Sequence, residues 1–318
     1  MAHIAVLGTG GTIASRSHGA AGVVAEASAA ELVAELGGEH AVSRRDIVTL
    51  GSYQLTLKDL RLIAEGVAAA ANEPDVDGIV VTHGTDTLEE TAFLLDLVHN
   101  SSKPVVITGA QRTPDSIAPD GPDNIAEAIV VAADPRMRDL GALISFSGTV
   151  RTARGARKSH TVAASPFTGG TEVAHFAGAR LVPTASTLHR SPLDLPAEPF
   201  DDTVVDIVSI YPGAESALLT AALERAAAVV ISGTGVGNAG PGFAEVVQTS
   251  DQPIVLSSRV PWGPVVPTYG NGGGIDLVAA GAIPSGDLNP YQSRILTALL
   301  VSQGHTGADF AARFTLHR

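Results

Sequence analysis

Four consecutive residues, His83-Gly84-Thr85-Asp86, put an imidazole, a hydroxyl and a carboxylate into one short turn. They lie inside VVTHGTDTLEET, from Val80 to Thr91. A hydroxyl beside titratable groups is the raw material of nucleophilic and acid–base chemistry. The same residues also make an ordinary helix start, with Asp86 as cap and Glu89 three positions later closing a capping box. A second candidate is Thr9-Gly10-Gly11-Thr12, where glycines after a strand let the backbone approach a ligand closely. The third is Lys158, one of only three lysines in a chain that otherwise uses Arg for positive charge. Arg stays protonated, whereas a buried Lys can lose its proton and act as a base. Lys158 sits in the run from Arg151 to His160, RTARGARKSH. That run reads either as a solvated basic loop or as the source of a base. The second reading needs a hydroxyl and a carboxylate nearby in space.

The elements that must position these residues follow from periodicity. Ile79, Val80 and Val81 are continuous and β-branched, as in a strand buried on both faces. Leu88, Ala92 and Leu95 form the apolar stripe of the helix after it. Further strands are predicted over 3–8, 47–50, 105–108, 142–146, 204–210, 229–232 and 254–257. Helices are predicted over 28–37, opened by a Ser28–Glu31 capping box, from Leu57 towards Ala71 after a Thr56 cap, over 124–133, from Ser216, and over 290–302. Residues 15–27 are small, aperiodic and flanked by glycines, which predicts a mobile loop over the strand ends. Alternating strands and helices imply an α/β fold. The expected architecture is two α/β domains: a larger N-terminal one with a mostly parallel sheet flanked by helices, and a smaller C-terminal one. The Pro-rich stretch around 183–199 reads as a linker. The predicted boundaries are 1–185, a linker over 186–203, and 204–318. In such sheets ligands bind at the carboxyl ends of strands, which is where both turns would lie.

Composition narrows the function. The formal charge is 20 − 33 = −13, which argues against nucleic acid or an anionic membrane as partner. No cysteine is present, so thiolate nucleophiles, disulfides and Cys-ligated metals are excluded. The histidines are scattered without metal-ligand spacing, as for surface or hydrogen-bonded core histidines. No basic, apolar leader precedes the first strand, and no apolar run reaches the roughly 20 residues needed to span a bilayer. The expectation is a soluble cytoplasmic protein. Gly235 to Gly240, GVGNAG, formally matches a dinucleotide fingerprint, but the next predicted strand lacks the terminal acid that binds ribose.

Taken together, these segments resemble the bacterial-type L-asparaginases over nearly the whole chain. LGTGGTIAS resembles the family's first threonine signature and VTHGTDTLEETAFLLDL its second. ITGAQR with APDGPDNI, then SGTGVGNAG, SSRVPWG and AAGAIPSGDLNPYQSRI, resemble later segments. The resemblance implies that Thr12 is the nucleophile, with Thr85, Asp86 and Lys158 completing the catalytic set in one pocket. It implies that Ser52 binds the substrate α-carboxylate, that Asp86 faces the α-amino group, and that Asn238 lies on the substrate side. Gly84 and Tyr53 join this substrate-binding set. The implied partner is a small-molecule amide, and the implied assembly a homo-oligomer, a dimer of dimers, in which Asn238 completes a neighbour's site.

Three positions depart from the pattern. Residues 15–27 hold no tyrosine, where the family's loop carries one. Tyr53 follows Ser52, and Gln54 falls one step beyond the family's glutamine. Residues 268–274 contain no acid to reach a substrate amine. Tyr53 could supply the missing phenol from the pocket floor, or fill core space below its turn with its hydroxyl on a carbonyl. The leading reading is hydrolysis of L-asparagine to L-aspartate and ammonia, with no metal and no organic cofactor. The alternatives are a relative acting on glutamine or another small amide, and a non-catalytic nucleotide-binding α/β protein.

Overall fold

Continuous β-branched runs become strands covered on both faces. In the computed structural model, which describes residues 1–11, 13, 15–17, 23–25, 39–186 and 191–318, the chain divides into two units, Met1–Leu195 and Pro196–Arg318.

The strands of the first unit are β1 (His3–Gly10), β2 (Ser15–Ser17), β3 (Val23–Ala25), β4 (Ala41–Leu50), β5 (Gly78–Thr82), β6 (Val105–Thr108), β7 (Ala142–Phe146), β8 (Thr149–Thr152), β9 (Ala156–Lys158), β10 (Phe167–Gly169), β11 (Glu172–Ala177) and β12 (Arg180–Pro183). Its helices are α1 (Leu57–Asn72), α2 (Leu88–Val98) and α3 (Gly121–Ala133). Eight strands form one sheet in the order β12-β11-β8-β7-β6-β5-β1-β4. From β4 to β7 the pairings are parallel, and from β7 to β12 antiparallel. Counted alone, the five parallel strands have the order 2-1-3-4-5, which reverses direction between β1 and β5. In doubly wound sheets the crevice at that reversal is where ligands bind.

Several elements differ from expectation. Residues 15–27 are not all loop, because β2 and β3 pair antiparallel with Arg16 opposite Val24. The helix expected over 28–37 lies outside the described residues. Strand β4 is longer than predicted, since it is an outer strand with Arg44, Arg45 and Asp46 exposed. Charge suits a sheet edge and hides the strand from an apolar-run reading. Strands β8 to β12 were not expected at all. Conversely, Thr56 caps α1 as predicted, its N–H donating to Asp59 Oδ2 at 2.8 Å.

Unit 2 holds β13 (Val205–Ser209), β14 (Ala228–Gly233), β15 (Ile254–Ser258) and β16 (Ile283–Pro284), a parallel sheet in that order. Its helices are α4 (Ala217–Leu223), α5 (Phe243–Thr249), α6 (Gly274–Ala279), α7 (Pro290–Ser302) and α8 (Gly307–His317). Leu219, Val229, Ile231, Phe243, Leu256 and Leu277 build its core. Among the described residues no helix is long and apolar enough to cross a membrane.

Candidate active site

Strands β1 and β5 run parallel in register, with Gly8 beside Thr82, so their two turns leave the sheet side by side. Glycine lets those turns touch. Gly11 has φ +83°, and a Cβ there would meet the Gly84 Cα and N at 2.3 Å. A Cβ on Gly84 would in turn meet Ser52 Oγ at 2.6 Å and Gly11 Cα at 3.1 Å. The turns after β1 and β5 therefore meet backbone to backbone, and the turn after β4 reaches Gly84 through the Ser52 side chain. Thr12 itself lies outside the described residues. Its neighbours Gly11 and Ile13 are both buried.

Thr85, Asp86 and Lys158 come together beside this junction. The Lys158 Nζ donates to Thr85 Oγ1 at 2.8 Å and to Asp86 Oδ1 at 2.7 Å. Thr85 is buried and donates its own proton to Gln111 Oε1 at 2.9 Å. The Lys158 side chain is 15% exposed and that of Asp86 56%, so the ion pair spans from protein to open solvent. The Asp86 N–H donates to Ser52 Oγ at 3.2 Å, and Thr87 Oγ1 donates to Ser52 O at 2.9 Å.

The expected Asp86–Glu89 capping box does not form. Helix α2 begins at Leu88 with Thr87 as its cap residue, without a side-chain cap bond. Both carboxylates go to Lys158 instead. Asp86 takes its ammonium, and the buried Glu89 accepts from its backbone N–H. Helix α2 is buried almost all round, so its acids need partners from other elements. Asp96, two turns on from Glu89, pairs with Arg154 at 3.3 Å, and the Arg154 guanidinium lies 5.0 Å from the Phe93 ring centroid. Glu89, Phe93 and Asp96 share one helical face, at spacings of four and three. That face grips the hairpin carrying Lys158. The run from Arg151 to His160 is thus no solvated loop: it forms β8 and β9, and Arg151 donates to Gly169 O at 2.7 Å.

His83 turns away from the trio. Its ring is fully buried, donates from Nδ1 to Gly84 O at 2.7 Å, and accepts at Nε2 from Thr91 Oγ1 at 2.9 Å. Burial pushes its pKa down to about 4, against a smaller upward pull from the Gly84 carbonyl. The unfolded imidazole, with a pKa near 6.5, binds a proton that the folded one refuses. Stability should therefore fall as pH drops from about 6.5 to about 4, by up to roughly 3 kcal/mol from this group alone. Urea midpoints across that window should show a shallower pH slope for His83→Gln than for the parent. Equal slopes would remove His83 as the source.

With the geometry established, the chain can be set beside known proteins. Residues 3–181 match the family description "Asparaginase, N-terminal", and residues 204–314 match "Glutaminase/Asparaginase C-terminal domain". The chain belongs to the asparaginase family. A probable L-asparaginase of Deinococcus radiodurans is 36% identical, covering 98% of this chain and 97% of that protein. L-asparaginase 2 of Bacillus subtilis is 32% identical, over 98% and 86%. The crystal structure of a probable cytoplasmic L-asparaginase from Campylobacter jejuni superposes with a TM-score of 0.85 at 26% identity, covering 100% of this chain and 99% of that one.

Within this asparaginase-family fold the other predicted site residues have distinct settings. Ser52 is buried, with its hydroxyl turned to the Asp86 N–H. Tyr53 is 71% exposed, and its ring lies over Gly51. The reading that Tyr53 fills core space below the turn is therefore wrong: the short 3-10 turn of Ser52–Gln54 buries Ser52 and turns its neighbour outward. Asn238 belongs to the second unit, where its Oδ1 accepts from Gly274 N at 3.1 Å. In the GVGNAG segment, Gly237 has φ +105° and the following helix α5 starts only at Phe243, past the Gly242 cap. Two polar residues were not singled out from sequence. Glu89 was read as half of a cap. Gln111 appeared only inside a resembling segment, although its place just past the end of β6 is the kind of position that faces a ligand crevice. Among the described residues, no group of three or more His, Asp and Glu could hold a metal ion.

Proposed function

We propose that the chain hydrolyses the side-chain amide of L-asparagine to L-aspartate and ammonia through a threonine ester. An amide is a poor electrophile with a poor leaving group, and a covalent intermediate divides the reaction into two easier steps. Thr12 Oγ attacks the amide carbon, the C–N bond breaks, and nitrogen leaves with a proton as ammonia. Water then attacks the ester, freeing the acid and restoring the Thr12 hydroxyl. The single observation that carries this reading is the Lys158 ammonium, within hydrogen-bond distance of both Thr85 and Asp86 beside the Gly11–Gly84 junction. A lysine held by a carboxylate and a hydroxyl can take the base role that imidazole fills elsewhere. Backbone N–H groups in the turns around Gly11 and Gly84 suit a developing oxyanion. In this reading Ser52 receives the α-carboxylate, Asp86 the α-amino group, Tyr53 and Gly84 line the substrate, and Asn238 serves the site of a neighbouring copy.

A second reading, hydrolysis of glutamine or another small amide, is favoured by one specific point: the family description of residues 204–314 names glutaminases as well as asparaginases. The dimer-of-dimers assembly, with Asn238 completing a neighbour's site, is proposed on family grounds. The names of relatives point both ways on compartment, one cytoplasmic and one periplasmic, and a cytoplasmic location is carried forward as a proposal.

The test is ammonia release from L-asparagine, L-glutamine, D-asparagine and an asparaginyl dipeptide, with Thr12→Ala as control and the mass in solution measured alongside. L-asparagine should be the best substrate and Thr12→Ala inactive. Near-normal turnover by Thr12→Ala would remove the covalent route, and a fully active monomer would remove the shared site.

A further inference from the structure

The Thr85 hydroxyl is held from two sides, and the second side is Gln111. Its Oε1 accepts the Thr85 proton at 2.9 Å. Its Nε2 donates to Thr161 O at 3.2 Å and Ala163 O at 3.1 Å. Two carbonyls can only accept, so the amide nitrogen must face them and the amide oxygen must face Thr85. The carbonyls are presented by a turn that His160 closes, its Nδ1 accepting from Val162 N at 3.1 Å and Ala163 N at 2.9 Å. Gln111 is itself anchored, since its backbone N–H donates to Asp120 Oδ2 at 3.1 Å and the next N–H, of Arg112, to Asp120 Oδ1 at 2.9 Å. One side chain thereby ties the end of β6 to the segment after Lys158 and aims a fixed acceptor at Thr85.

An ammonium has three donors and no acceptor. While Lys158 is charged it can only donate to Thr85 Oγ1, so the Thr85 proton needs another place. From this geometry, and resting on the catalytic reading of Thr85 and Lys158 above, we infer that Gln111 is a positioning residue: its amide oxygen holds the Thr85 proton and so aims the lone pairs of Thr85 Oγ1 at Lys158 and at the crevice. When Lys158 is neutral, the Thr85 O–H turns from Gln111 to Nζ by rotation about one bond. The proton of the attacking O–H then passes to Thr85 Oγ1 as Thr85's own proton passes to Nζ, and Thr85 gains no net charge. Gln111 never touches substrate in this scheme. It sets the rotamer of the residue that does, and holds that residue's proton until Lys158 is neutral.

The test compares Gln111→Met, close in shape but without a strong acceptor, with Gln111→Glu, which keeps an oxygen for Thr85 and loses the donors to Thr161 and Ala163. Thr85→Val and Lys158→Met are run beside them. Gln111→Met should lower kcat for L-asparagine by about 10- to 100-fold, the cost of a small misplacement near the chemistry, with KM within about threefold. Gln111→Glu should recover at least about fivefold of that loss. Parent-like kcat in Gln111→Met, a loss confined to KM, or Gln111→Glu as slow as Gln111→Met would each overturn the inference, the last showing that only the tether to 161–163 matters. If Gln111→Met does not fold, Gln111→Ala takes its place under the same limits. Near-normal turnover in Thr85→Val or Lys158→Met would instead sink the catalytic reading itself, whatever Gln111 does.

Discussion

Lys158→Met should lower the turnover of L-asparagine by on the order of 10³-fold or more, within the range for losing a positioned proton-transfer group. Methionine keeps an unbranched apolar stem of similar length, so the β9 hairpin should stay in place. The bonds from the hairpin to α2 run through the Lys158 backbone N–H and through Arg154, neither of which the substitution removes. The lost ion pair ends on a carboxylate that is 56% exposed, and pairs open to solvent contribute about 0–1 kcal/mol. The loss should therefore fall on kcat, with an unfolding midpoint close to the parent's. Turnover within tenfold of the parent would show that Lys158 is structural. A large fall in the midpoint would show that the loss of rate reports misfolding.

Gly11→Ala should cost stability and activity together. Its φ of +83° is a conformation that L side chains rarely adopt, at a cost of about 1–2 kcal/mol. Its Cβ would also lie 2.3 Å from the Gly84 backbone, which no rotamer change can relieve. Overpacking typically costs about 1–3 kcal/mol, so the total should be about 2–5 kcal/mol. Gly178→Ala separates the two causes: Gly178 has φ +62° with nothing within 4 Å of a Cβ, and should lose only the conformational part. Urea titration of both variants reads the difference. Equal losses would mean that the β1 and β5 turns part without resistance.

The parallel half of the fold was legible because β5, β6, β7, β14 and β15 are buried on both faces and its helices carry a periodic stripe. Residues 142–146 and 290–302 form elements with the predicted bounds. The antiparallel half was not, because β8, β9 and β10 are three or four residues long, and Arg151 in β8 finds its partner far along the chain, at Gly169 O. The same limit explains the misread cap. Asp86 and Glu89 have the spacing of a local motif, but the group they serve is about 70 residues away, at Lys158. Spacing along the chain can state that two carboxylates lie near a helix start. It cannot state which cation the fold delivers to them. Gln111 was missed for a related reason, since its polarity acts through a hydroxyl and two carbonyls drawn from separate turns.

The grip of α2 on the β9 hairpin has a mechanical meaning. The turn carrying Thr85 and Asp86 leads directly into α2, and Glu89, Phe93 and Asp96 on that helix hold the segment from Arg154 to Lys158. Both halves of the trio are thus mounted on one beam. The Thr85–Lys158 separation is therefore set by contacts between this helix and the segment it holds, one step from each residue, rather than by the long path through the sheet.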